Sequence, residues 1–153
     1  MRIVAVLMFA AFFVNDAALP AAAASSVEEA FKQFDLFGQW ALDCKQPATP
    51  ANPHVSIIMP NDGKVSEEHD LGSEFARNRY SVLEAARVSA TRLSVDVIFQ
   101  PGGANEERQK LTLQVVHGTR RTMFNQPDGG AVRVKDGVAL AAGVKTPVLR
   151  KCN

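Results

Sequence analysis

Hydrophobic and polar positions alternate with a period of two through most of the chain after residue 37. The runs "RLSVDVIF" and "RQKLTLQVV" show this alternation, which is typical of strands with one buried and one exposed face. Segments rich in glycine and proline, such as "PNDG" and "QPGGANEE", separate the runs and indicate turns. Asp136-Gly137 is the dipeptide preferred in tight type I′ hairpins. The pattern predicts an all-β fold, an antiparallel meander that closes into a small barrel of eight or nine strands, because closure removes the exposed edges of short strands.

A helical pattern precedes the strands and predicts a short helix over about residues 26–35. In "SVEEAFKQFD", Ser26 is a suitable N-cap, and Glu29 three residues later completes a capping box. Four apolar side chains fall on one face of this helix: Val27, Ala30, Phe31 and Phe34. We expect that face to pack against the barrel.

The stretch "EFARNRYSVLEAARVSATR" is compatible with two structures. Alternating positions on both sides of "EAARVSA" favour two strands joined by a turn near that segment. A single helix over residues 74–92 is the alternative, and Leu83, Ala86 and Ala90 would lie on its apolar face. The two-strand interpretation is the one that we expect.

The N-terminal residues have the pattern of a signal peptide. Arg2 precedes an apolar run of twelve residues, "IVAVLMFAAFFV", which is shorter than the roughly 20 residues of a membrane span. Ala22 and Ala24 then fit a signal-peptidase site. The pattern predicts removal of residues 1–24, a single domain over residues 25–153, and a soluble protein of the periplasm or the cell exterior.

Charge favours no macromolecular partner. Seventeen Lys and Arg residues and sixteen Asp and Glu residues give a formal net charge of +1. A nucleic-acid-binding domain carries a strongly basic face, so nucleic acid is not expected as a partner. No later segment is apolar enough to predict stable insertion into a membrane.

Both cysteines, Cys44 and Cys152, lie in the predicted mature domain. Two cysteines in an oxidising compartment most simply form one disulfide. A catalytic thiol and a metal site are the alternatives, but neither cysteine stands in a Cys-x-x-Cys or His-rich motif. We predict the disulfide, which in the chain-entropy model stabilises a loop of about 100 residues by roughly 4–5 kcal/mol.

The segment "FGQWALDC" resembles the start of the first strand in lipocalins and in the wider calycin group of barrels, through Gly38, Gln39 and Trp40. The resemblance implies a short helix before that strand and a tryptophan packed at the closed end of the barrel. It also implies an arginine over the tryptophan, a place that Arg150 would take in a cation–π contact. The opening "WALDCKQPATPANPHV" and the ending "TPVLRKC" are similar to a group of small, uncharacterised exported proteins of alphaproteobacteria.

The predicted disulfide restricts how the barrel can close. With an even number of strands the first and last strands are antiparallel, which places their ends nearly 20 Å apart, whereas a disulfide needs Cα atoms within about 7 Å. Two solutions stay open. Either the strand number is odd and the terminal strands are parallel, with Trp40 beside Val148 and Leu42 beside Arg150, or one cysteine lies beyond the paired residues.

Two polar segments are candidates for chemistry, and we expect both to be solvated. In "EEHD", Glu67 and His69 would face one side of a strand, and the two intervening acidic residues the other. We expect a charged hairpin edge there. A second group forms a basic hairpin that we expect to face solvent: Arg108, Lys110, Arg120 and Arg121.

The sequence predicts a non-enzymatic exported β-barrel that binds a small apolar ligand or a protein partner. The alternative is an inhibitor-like or envelope-interaction protein with a filled barrel, similar to compact periplasmic inhibitors. An enzyme would require a pocket with at least two converging titratable groups. No serine stands in a nucleophile-elbow motif, so no catalytic residue, cofactor or metal is predicted, and the ligand-binding residues stay unassigned.

Overall fold

The computed structural model describes residues 26–152, and the predicted signal peptide lies outside this range. No helix within residues 26–152 is long and apolar enough to cross a membrane. One helix, α1 (Val27–Gln33), precedes the strands in the described range. These are β1 (Gly38–Ala41), β2 (His54–Ile58), β3 (Ser66–Asp70), β4 (Asn78–Ser89), β5 (Arg92–Phe99), β6 (Glu107–Val116), β7 (Thr119–Pro127), β8 (Val134–Lys135), β9 (Val138–Ala139), β10 (Val144–Lys145) and β11 (Leu149–Cys152).

Eight of the strands form a closed antiparallel barrel. Strands β1 to β7 pair in chain order, and β11 completes the ring between β7 and β1. The remaining strands, β8, β9 and β10, form a small meander that pairs with the end of β7. We call residues 130–147, which contain this meander, the extension. The predicted all-β barrel with a preceding helix is confirmed.

Helix α1 begins where the capping box predicts. The Ser26 Oγ accepts a hydrogen bond from the Glu29 backbone N–H at 3.2 Å, which satisfies one of the free donors of the first turn. Ala30 and Phe31 are fully buried, and the helix packs against β4. The guanidinium of Arg87, near the end of β4, lies 6.0 Å from the Phe34 ring centroid. Helix α1 therefore covers the barrel end at which β4 ends.

The main hydrophobic core lies beneath α1. Its largest fully buried side chains include Phe31, Leu36, Trp40, Ile57, Leu93 and Leu113. The Trp40 indole donates a hydrogen bond to the Leu36 carbonyl at 2.8 Å, so its one polar atom is paired although the ring is buried. This end of the barrel is thus filled.

The cation over Trp40 is Lys151 and not Arg150. Lys151 pairs with Trp40 in the β1–β11 ladder, and its Nζ lies 5.7 Å from the indole ring. Its ammonium also donates to the carbonyl oxygen of Asp35 at 2.9 Å. Arg150 pairs with Ala41 instead and is exposed, because successive residues of a strand point to opposite faces. Gly38 begins β1 at a φ of +115°, in the region that favours glycine.

The disulfide forms, and it shows how the barrel closes. Strands β1 and β11 are antiparallel, so the solution with an odd strand number and parallel terminal strands is wrong. Cys152 ends β11, whereas Cys44 lies in the turn after β1, beyond the paired residues. The chain turns back after Ala41 and brings the two Cα atoms to 5.6 Å. The second solution, a cysteine outside the ladder, is therefore the correct one.

Residues 78–99 form two strands, as expected, and the turn lies at the C-terminal end of the segment near which it was predicted. Strand β4 is twelve residues long and continues through "EAARVS", and the turn is at Ala90 and Thr91. Irregular register after Val82 and after Arg87 marks bulges that let this long strand bend around the barrel. Pairing with β5 thus overrides the helix-tolerant composition of the segment.

Candidate functional site

A cavity of about 240 Å³ lies at the barrel end opposite α1. Its apolar wall consists of Pro53, Val55, Leu111, Val134, Pro147 and Leu149. Polar side chains that share the cavity include Glu67, His69, Tyr80, Arg120 and Asn125. The interior is therefore filled under α1 and open at the other end.

The cavity owes its shape to the short terminal strands. Strands β1 and β11 have only four residues each, and β11 pairs with just the first residues of β7. Farther along β7, Asn125 pairs with Val134 of β8 instead. The extension thus takes the place beside β7 that a longer last strand would occupy, and it supplies part of the cavity wall.

Side-chain hydrogen bonds hold the extension on the barrel. The Arg121 guanidinium donates to the Gly137 carbonyl at 2.7 Å, and the Thr146 hydroxyl donates to the Thr122 carbonyl at 2.7 Å. Asp136 and Gly137 form the turn between β8 and β9 with φ values of 51° and 72°, the two positive values of a type I′ turn. This Asp-Gly turn is one that the sequence predicts.

A buried ion pair lies at the centre of the polar group. The Arg120 side chain is 4% exposed, and its Nη2 and Nη1 donate to the two Glu67 carboxylate oxygens at 2.8 and 3.1 Å. Burial alone would raise the pKa of Glu67. The charge of Arg120 and the hydrogen bonds from His69 and Arg120 outweigh burial and hold that pKa far below its usual range.

His69 and Tyr80 extend the cluster along the barrel wall. The His69 Nε2 lies 2.5 Å from Glu67 Oε1, and its ring centroid is 5.0 Å from that of Tyr80. The Tyr80 ring in turn lies 5.2 Å from Phe99 in a tilted arrangement. Burial, together with the charge of Glu67, raises the pKa of Tyr80 to about 12, so its hydroxyl is protonated at neutral pH.

A second polar group stands at the rim of the cavity. The Asn125 Nδ2 donates to Gln109 Oε1 at 2.8 Å, and the Gln109 Nε2 donates to Glu107 Oε1 at 2.6 Å. Arg133 of the extension then binds both oxygens of Glu107, each at 2.8 Å. The Asn125 Oδ1 is buried and has no hydrogen-bond partner among the described residues.

The sequence placed Glu67 and His69 on one face of β3 correctly, but the expected solvated edge is wrong for them. Strand β3 is an interior member of the ring, and that face points into the barrel. The opposite face carries Glu68 and Asp70, which pair with the exposed Arg77. Both faces of β3 are polar, so the sequence alone could not say which one is buried.

The expectation of a wholly solvated basic hairpin is also wrong. Arg120 faces the interior, in register with Leu149 and Val115. Arg108 and Lys110 do lie on the outer face, where each is within salt-bridge distance of Asp96.

Tyr80, Gln109 and Asn125 were not singled out from the sequence. The alternation of strand positions could have pointed to the first two. Tyr80 shares a strand face with the apolar Val82, and Gln109 shares one with the apolar Leu111. Such a position is informative only when the register between strands is known.

The cluster meets the geometric condition for acid–base chemistry, because at least two titratable groups converge in one cavity. Its hydrogen bonds are largely internal, however. Both Glu67 oxygens are bonded to Arg120, and the imidazole Nε2 is bonded to Glu67. Within residues 26–152, no group of three or more His, Cys, Asp or Glu side chains is arranged to hold a metal ion.

No family model, curated protein or solved structure matches this chain. The cavity and its polar side chains are therefore the observations from which a function can be inferred.

Proposed function

We propose that the protein is a non-enzymatic binding protein that holds a small, largely apolar molecule in the cavity opposite α1. The observation that carries this proposal is the cavity itself, with an apolar wall and a few converging polar groups, the usual composition of small-molecule sites. Its volume of about 240 Å³ lies below the range of roughly 300–1,000 Å³ that is usual for ligand pockets. We therefore expect a compact ligand.

The charges of the cavity suit a ligand without net charge. Glu67 and Arg120 neutralise one another through two hydrogen bonds. A strongly charged ligand would have to compete with this pair, and separation of a buried pair is costly. An apolar or weakly polar ligand leaves the pair intact.

Export of this carrier is part of the proposal. The Cys44–Cys152 disulfide suits an oxidising compartment such as the periplasm or the exterior, in line with the signal peptide that the sequence predicts. A short helix before the first strand of a barrel is also what the calycin resemblance implies, and calycin-like character is part of the proposal.

The alternative of a filled barrel that acts only through its rims is less well supported. Its premise is an interior occupied by side chains, and this holds for the half under α1 only. Eight-stranded barrels can enclose one small ligand, and the half opposite α1 has the space for it.

A second candidate is an acid–base enzyme, favoured by the contact between His69 and the buried carboxylate of Glu67 at 2.5 Å. In the serine hydrolases a carboxylate also orients the catalytic imidazole, but it bonds Nδ1 and leaves Nε2 for the nucleophile, whereas Glu67 contacts Nε2 of His69. No serine, threonine or cysteine is hydrogen-bonded to His69 in the described part of the chain. We expect His69→Gln to bind the ligand as the unaltered protein does. If the unaltered protein converts the bound ligand chemically and this variant does not, the result favours the enzyme.

Native mass spectrometry after gentle purification tests the proposal. We expect the protein to carry a compact organic molecule, and Leu111→Phe to lose it because the added ring fills the cavity. Leu83→Phe is the matched control, since Leu83 is 42% exposed outside the cavity. If a panel of small organic fragments at millimolar concentration leaves the NMR signals of Leu111 and Leu149 unmoved, the proposal is contradicted.

A further inference from the structure

Only one of the two polar atoms of the Asn125 carboxamide has a hydrogen-bond partner in the described range. Its Nδ2 donates to Gln109 Oε1 at 2.8 Å, whereas its Oδ1 is buried without a hydrogen-bond partner in the described range. Asn125 lines the cavity. A buried acceptor without a donor is unfavourable, so a molecule that brings a donor to this atom gains affinity.

The orientation of this carboxamide is set by a chain of hydrogen bonds that starts at Arg133. Its two N–H groups bind the Glu107 carboxylate, each at 2.8 Å. The hydrogen bond from Arg133 is the largest influence that lowers the pKa of Glu107, and the hydrogen bond from Gln109 lowers it further. An ionised carboxylate only accepts hydrogen bonds. Gln109 must therefore turn its Nε2 toward Glu107, where it donates at 2.6 Å.

The same reasoning continues from Gln109 to Asn125. Gln109 is 3% exposed, so both ends of its amide need partners inside the protein. With Nε2 on Glu107, its Oε1 faces Asn125 and requires a donor there. Reversal of either amide would place two oxygens against one another. The chain from Arg133 thus fixes Oδ1 as the unpartnered acceptor of Asn125, a residue that lines the cavity.

We propose that the ligand carries a hydrogen-bond donor, a hydroxyl or an N–H group, that binds Asn125 Oδ1. The cavity then selects small alcohols, phenols or amides over hydrocarbons of the same shape. This inference rests on the proposed ligand-binding function and adds the chemical class of the ligand. It also assigns Gln109, Glu107 and Arg133 the role of positioning residues that hold the acceptor in place.

Phenol and toluene are matched probes for this selection, because they differ by a hydroxyl in place of a methyl group. The readout is the titration of each probe by NMR, followed at the side-chain amide signal of Asn125 and at the methyl signals of Leu111 and Leu149. We expect phenol to bind about tenfold more tightly than toluene, the upper part of the range for one neutral hydrogen bond.

Asn125→Leu removes the acceptor while it keeps a side chain of similar size. We expect the phenol-to-toluene ratio to fall close to one. Asn61→Leu is the control, because Asn61 is exposed in the turn between β2 and β3, and it is expected to keep the ratio of the unaltered protein.

Glu107→Gln tests the orienting chain with Asn125 in place, and it serves if Asn125→Leu does not fold. An amide at position 107 can donate or accept, so both later amides can reverse. We expect the preference for phenol to fall at least threefold in this variant.

The outcomes separate this inference from the proposed function. If both probes bind the unaltered protein with equal affinity, the cavity is a binding site but the donor requirement is wrong. A preference for phenol that survives both Asn125→Leu and Glu107→Gln also overturns the assignment to Asn125. If neither probe shifts any cavity signal at millimolar concentration, the inference and the proposed function both fail.

Discussion

Glu67 and Arg120 lie 53 residues apart in the sequence and form a two-point ion pair inside the barrel, with N···O distances of 2.8 and 3.1 Å. They belong to β3 and β7, which are not neighbours in the ring. The pair therefore connects two parts of the wall across the interior.

Arg120→Met leaves the Glu67 charge buried without its partner. We expect a loss of about 3–5 kcal/mol in the free energy of unfolding, measured by urea denaturation. The double variant Glu67→Leu with Arg120→Met removes both charges and should recover most of the loss. Arg108→Met on the outer face is the control, with an expected change of about 0–1 kcal/mol. A change below about 1 kcal/mol in the free energy of unfolding for Arg120→Met would show that the ion pair contributes little to the stability of the fold.

The stability of the protein should depend on Glu67 in acid. Its pKa in the folded protein lies below the ordinary value of 4.5, so folding favours the ionised form. This contribution is present above about pH 4.5 and is lost as the pH falls below that value. Urea denaturation at several pH values between 7 and 3 should show a steeper decline for the unaltered protein than for Glu67→Gln. Glu84→Gln, at an exposed position, should decline like the unaltered protein.

Tyr80 offers a direct optical measurement, because it is the only tyrosine of the chain. The near-ultraviolet absorbance of tyrosinate should titrate near pH 12 in the folded protein and near the ordinary value of 10.0 after denaturation. Folding favours the neutral phenol, so stability should fall as the pH rises from about 10 toward 12. A midpoint near 10 in the folded protein would place Tyr80 in solvent and remove it from the cavity.

Lys151 and Arg150 should differ in their effect on Trp40. Lys151→Met removes the ammonium above the indole ring and its hydrogen bond to Asp35, and we expect a loss of about 1–2 kcal/mol. Arg150→Met changes an exposed side chain, and we expect less than about 0.5 kcal/mol. Denaturation followed by the fluorescence of the single tryptophan measures both. A larger loss of stability for Arg150→Met than for Lys151→Met would favour Arg150 as the cation over Trp40, as the family resemblance implies.

The fold followed from local signals in the sequence. The capping box at Ser26, the period of two in β5 and β6, and the turn at Asp136 and Gly137 each depend on residues close together in the chain. The length of β4 could not be predicted in the same way, because its second half has a helix-tolerant composition and is held extended by pairing with β5.

The candidate site is formed by residues that are distant in the sequence, so it could not be predicted from the local pattern of hydrophobic and polar positions. Alternation put Glu67 and His69 on one face of β3, but burial of that face depends on Arg120, which arrives from β7. In the same way, the return of the chain at Cys44 follows from the antiparallel closure of β1 on β11. Register across the ring decides both, and a single sequence does not contain it.

The extension lies outside the ring of eight strands but supplies part of the cavity wall. The ring of eight strands closes through β7, β11 and β1 without any residue of β8, β9 or β10. Residues 130–147 nevertheless supply Val134, Thr146 and Pro147 to the cavity wall. Part of the cavity wall therefore comes from residues that the closure of the ring does not need, so substitutions in the extension can change the shape of the cavity while the pairing of the eight ring strands is kept.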